Sequence, residues 1–187
     1  MKRVVPWLIT LALLIGAWLV ALVTPDTEDA PRAFISSATI GQPIEGRNIA
    51  ITVHEVHLAE AISTSTGWSA DGTWFVVDLD AAAVVTQYGI LLNATLIVEG
   101  RTFVATERGV AEPLENISLL KTQLVPGIPK RGMVAFPIPE DAEAGTVTVE
   151  FTASQAPYDS IIALTVDLST VPVEDEVRLV PVDWSAR

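Results

Sequence analysis

The chain has 187 residues, half of them hydrophobic, with 11 basic and 23 acidic side chains and a formal charge of −12 at pH 7. That charge has the wrong sign for neutralising phosphates or for clinging to anionic lipid, so nucleic acid is excluded as an expected partner. With no cysteine, the fold is expected to rest on a hydrophobic core alone, without disulfides, thiolate nucleophiles, Cys-ligated zinc or a lipidated cysteine.

The first predicted element is apolar. Val4 to Val23 carries no charge, and a helix of that length spans roughly 30 Å, the thickness of a bilayer's hydrocarbon. Pro6 falls in the first turn, and Trp7 and Trp18 lie toward the two ends, where interfacial aromatics sit. Lys2 and Arg3 precede the segment, while Asp26, Glu28 and Asp29 follow it. The positive-inside rule then predicts a single-pass signal anchor over residues 1–23, with the N-terminus cytoplasmic and the remainder extracytoplasmic at the cell membrane. A cleaved signal peptide is the competing reading, although Thr24-Pro25-Asp26 is a poor cleavage context. Either way the rest of the chain is exported. Without Lys2 and Arg3 it holds 9 basic against 23 acidic residues, a charge of −14.

Residues 24–32, with two prolines and charges of mixed sign, read as a tether. From 33 to 187 the pattern is β. Ile49, Ile51 and Val53 are odd-numbered and Val56 and Leu58 even-numbered, so a strand through this stretch needs a β-bulge near His54 or Glu55 to keep all five on one face. In Gly72–Ala82, Phe75, Val77 and Leu79 share one face, and Trp74, Val76, Asp78 and Asp80 share the other. Leu92, Ala94, Leu96 and Val98 alternate with polar neighbours, and Glu99-Gly100 marks the tip of a hairpin returning through Arg101–Thr106. Residues 107–131 hold three prolines and a weakly helical "LENISLLKT", and read as a long connection with one helical turn.

Val134, Phe136 and Ile138 form the next face. Pro137 and Pro139 cannot donate to a ladder, so this strand is expected to end at an edge or leave the sheet. Val147, Val149 and Phe151, then Ile162, Leu164, Val166 and Leu168, complete the pattern. Eight or nine such strands predict an all-β, two-sheet sandwich.

The order "GTWFVVDLDAAAV", "LLNATLIVEGRTFVAT", "QLVPGIPKRGMVAFPIPED" and "GTVTVEF", over roughly Gly41 to Leu168, resembles a family of bacterial exported immunoglobulin-like domains of unknown function. That family is similar in fold to a secreted mycobacterial immunogenic protein. The most specific stretch is the Leu124-Val125-Pro126-Gly127 turn followed by Gly132, Phe136 and Pro139. Two departures stand out: Ala81-Ala82-Ala83 replaces the asparagine-containing turn common after the "VVDL" strand, and the frequent lipid-attachment cysteine is missing. The resemblance implies an immunoglobulin-like β-sandwich and an exported, membrane-anchored address, and it implies no catalytic residue.

Candidate chemistry is sparse. "HEVH", His54 to His57, is one residue short of the H-E-x-x-H zinc signature, and on a regular strand its histidines point to opposite faces, although a bulge would bring them together. Asp78 and Asp80, with Asp71, are candidate calcium ligands, yet no D-x-D-x-D-G loop is present and a solvated strand end is the expected reading. There is no G-x-S-x-G elbow and no phosphate-cradling glycine loop. Trp68 and Trp74 flank the expected turn "GWSADGTW" and are candidate partner-binding aromatics, against core or cross-strand packing as the plainer role.

No catalytic residue and no cofactor are expected. The expected function is a membrane-tethered extracytoplasmic immunoglobulin-like binding module, accessory to a membrane complex, whose partners are the bilayer and a membrane protein. Its rivals are an exported hydrolase or metal-dependent enzyme using His54, Glu55 and His57, and a small-ligand sensor.

Overall fold

The computed structural model describes residues 5–23, 33–85, 92–107, 117–120, 122–139, 145–153 and 160–185. The chain divides into two compact units, Met1–Arg32 and Ala33–Arg187. In the first, α1 covers Val5–Val23, and its described side chains, among them Leu13 and Trp18, are exposed. The sequence expectation of a membrane span finds no support here. Among the described residues no helix is long and apolar enough to cross a membrane.

The second unit holds twelve strands among its described residues: β1 Phe34–Ala38, β2 Pro43–Glu45, β3 Ile49–Thr64, β4 Ser69–Ala83, β5 Leu92–Val98, β6 Arg101–Val104, β7 Lys130–Pro137, β8 Thr146–Ala153, β9 Ser160–Asp167, β10 Val173–Glu174, β11 Val177–Leu179 and β12 Asp183–Trp184. Four of these, β2 and β10 to β12, are two or three residues long and too short to leave a period. That is why the sequence suggested eight or nine.

One sheet runs β1-β9-β8-β5-β6, and the other β10-β3-β4-β7-β12, with β2 and β11 also on β3. The sandwich closes because each long strand contributes one apolar face to a common core. Phe75, Val77 and Leu79 of β4 meet Leu92 and Leu96 of β5, Val149 and Phe151 of β8, and Ile162 and Leu164 of β9 there. The β5–β6 hairpin turns at Glu99 and Gly100 with positive φ at both, as a two-residue turn requires. β7 ends at Pro137, beyond the reach of β12, which pairs only with Lys130 and Arg131. The proline therefore sits where no ladder donor is needed on that side.

β3 also follows its parity. Its register against β4 slips between Val53 and Glu55, and Ile49, Ile51, Val53, Val56 and Leu58 all enter the core. The bulge falls at His54. Between Val125 and Ile128 the chain turns through Pro126 and Gly127, whose φ of 68° only glycine adopts readily, with the Ile128 N–H donating to the Val125 carbonyl. Of "LENISLLKT", residues 114–116 and 121 lie outside the described residues, and Ile117, Leu119 and Leu120 are buried without forming a helix.

Two local expectations are corrected. The turn preceding β4 lies at Thr64–Gly67, where the Thr64 N–H donates to the Trp68 carbonyl, so most of "GWSADGTW" is strand rather than turn. The face shared by Trp74 and Val76 is also drier than the aspartates beside it suggested. A second apolar cluster, formed by Trp74, Val76, Ala59, Ile62, Ala135, Val177 and Leu179, lies there.

Candidate functional site

In a bulge two residues stand opposite one on the neighbouring strand, so two consecutive side chains emerge on the same side. At His54 and Glu55 this puts both on the outer face of the seven-stranded sheet, and His57, two residues further, joins them. The bulge read from apolar parity thus gathers the HEVH histidines on one face. Across the register stand Asp80, opposite Thr52, and Asp78, opposite Glu55. Arg131 follows on β7, opposite Asp80.

Asp78 is 7% exposed. Arg131 grips it from both donors, Nη2 to Oδ2 at 2.7 Å and Nε to Oδ1 at 3.3 Å, a two-point geometry that fits a carboxylate. This hydrogen bonding and the charge of Asp78, with smaller help from Asp80 and Glu55, hold the Arg131 pKa above its ordinary value. The solvated strand end expected for Asp78 is therefore incorrect, because the carboxylate is covered and ion-paired. Its partner lies 53 residues away, beyond any local pattern.

His57 Nδ1 sits 2.6 Å from Glu174 of β10, and its Nε2 sits 3.5 Å from Glu55. His54 Nε2 lies 3.1 Å from Asp80 Oδ2, and among the described residues this buried nitrogen has no hydrogen-bond partner. Ser185 Oγ donates to the other oxygen of Asp80. These are the residue types of a hydrolase triad in another order: the aspartate lies between serine and histidine, whereas nucleophilic catalysis needs the imidazole on the hydroxyl. Among the described residues no group of three or more His, Asp or Glu is arranged to hold a metal ion. Asp71 is exposed opposite Ala61, about 23 Å along β4 from Asp78 at the rise of a strand.

Of the candidate aromatics, Trp74 is buried, with its Nε1 lacking a partner among the described residues, and Trp68 is half-buried against the same cluster. Sequence reasoning passed over Trp184, which is 53% exposed and stacks under the Lys130 ammonium at 4.7 Å. Its strand is two residues long and leaves no alternation to read.

Beside the bulge a cleft of about 430 Å³ opens at the edge of β3, lined by Ile40, Glu55, Val56, His57, Val171 and Pro172 among others. No family model and no curated protein sequence matches the chain. Among solved structures it is similar to an uncharacterised β-sandwich protein from Clostridium difficile 630, with a TM-score of 0.50 and 12% identity over 77% of this chain and all of that one. The likeness is one of fold: a two-sheet β-sandwich.

Proposed function

We propose that the protein is a membrane-tethered, extracytoplasmic binding module whose immunoglobulin-like sandwich presents the outer face of β3 to a partner protein in a membrane complex. The observation that carries the binding reading is the cleft beside the bulge. It adjoins polar side chains already paired with one another, Asp78 with Arg131 and His57 with Glu174. Groups paired in this way hold a recognition surface in fixed geometry, and the cleft lies in the size range of ligand sites.

The tether rests on the uncharged run from Val4 to Val23 with basic residues before it and acidic ones after. The immunoglobulin-like reading rests on the motifs from Gly72 through Phe151 and on the two-sheet architecture. Membrane fractionation of cells expressing the full chain tests the reading. The protein is expected to stay with membranes through high-salt and carbonate washing, since hydrophobic insertion is insensitive to screening. Added protease is expected to digest the domain once the outer barrier is opened. Soluble protein beginning near Thr24, or protection until lysis, would overturn it.

A further inference from the structure

β3 is paired on its β4 side along most of its length, but its other edge is interrupted. β2 pairs with Ala50–Thr52, and β10 begins at Leu58. The Val53 carbonyl accepts from the Gly41 N–H, and the Leu58 N–H donates to the Pro172 carbonyl. Both of those groups point away from β4. Alternation beyond the bulge sends the N–H and C=O of Val56 the same way, and among the described residues neither has a backbone partner there. A strand edge with an unmade donor and acceptor is a template for another strand. It opens into the cleft, whose walls include Ile40, Val171 and Pro172.

We infer that this gap is a docking site for a short extended peptide segment of a partner protein, with a basic residue flanked by apolar ones, which adds a strand to β3 at Val56. The inference rests on the binding reading above and names its partner's chemistry. Main-chain bonds to Val56 would supply the pairing, and side-chain contacts the selectivity, as in strand addition generally. Selectivity follows from charge. Glu55, 69% exposed, and Glu174, 43% exposed, flank His57 at the site, and the whole chain carries −12. A lysine or arginine side chain is the complement. The acidic stretch holding Asp26, Glu28 and Asp29 carries the wrong charge for such an occupant. A second copy of so acidic a chain is disfavoured likewise.

The test uses the full chain in mild detergent and three end-capped peptides: Thr-Val-Lys-Val-Thr, the same sequence with glutamate in place of lysine, and the lysine peptide with its central backbone nitrogens methylated. Fluorescence anisotropy should show the lysine peptide binding at least about tenfold more tightly than either control, a ratio worth about 1.4 kcal/mol. Hydrogen exchange in the segment containing Val56 should slow only with the lysine peptide. Glu55→Lys, an exposed substitution that leaves the pairing of Asp78 intact, should reverse the charge preference. Equal binding of all three peptides, no binding at about 1 mM, or protection elsewhere in the domain would overturn the docking site. None of these outcomes depends on whether the protein is membrane-tethered, which fractionation settles separately.

Discussion

Replacing Asp78 by alanine removes a carboxylate that is 7% exposed and accepts two hydrogen bonds from Arg131. A hydrogen bond to a charged group contributes about 1.5–3 kcal/mol. The Arg131 side chain is 52% exposed, so water takes over its donors once the carboxylate is gone and screening reduces the loss. The expected cost is about 1–2 kcal/mol. Arg131→Met acts from the other side and leaves a covered carboxylate without its partner, for which about 3–5 kcal/mol is typical. The two single costs should therefore be unequal. A double variant, Asp78→Leu with Arg131→Met, should recover part of the larger cost, since it leaves no unpaired charge. Urea midpoints of the chain beginning at Ala33, which contains every residue of both apolar clusters, measure all three. An Asp78→Ala cost below about 0.5 kcal/mol, the range of ordinary surface changes, would refute the reasoning, as would a double variant worse than Arg131→Met alone.

Phe75→Ala should cost about 3–5 kcal/mol in the same assay, because the ring is fully buried between the sheets and its removal leaves a cavity. Gly132→Ala should cost about 1–3 kcal/mol, since an added Cβ would lie 2.9 Å from Leu119 Cγ and from Val182 Cγ2. Trimming Leu119 to alanine in the same chain should relieve part of that cost, which a double-mutant cycle would show. The Asp167 carboxyl, held by the hydroxyl and N–H of Ser169, should titrate below its ordinary value near 3.8, and Ser169→Ala should move it back up, both read by carbon-13 NMR. Its folded-state pKa is depressed, so its contribution to stability is present above about 3.8 and is lost as pH falls through the lower folded value.

Alternation along single strands is local, and it alone placed Phe75, Val77, Leu79, Val134, Phe136, Val149 and Phe151 in the core. The parity switch between Val53 and Val56 located the bulge for the same reason. A one-residue slip would turn a whole apolar face to water, so the sequence must record where the slip occurs. The Glu99-Gly100 turn was legible because few residues accept a positive φ.

What joins strands distant in sequence left no such mark. Arg131 covers Asp78 from β7, Glu174 meets His57 across 117 residues, and Ser185 reaches Asp80 across 105. A polar residue on an outer face looks the same in sequence whether it meets water or a partner's charge. The dry patch around Trp74 and Val76 depends on β11 arriving beside β3, and the gap that the described residues leave in the β3 edge depends on where two very short strands stop. The sequence by itself determined which face of each long strand is apolar. Only the tertiary structure decided which polar groups are paired and which backbone edge is left open, because both are set by neighbours that the fold brings together.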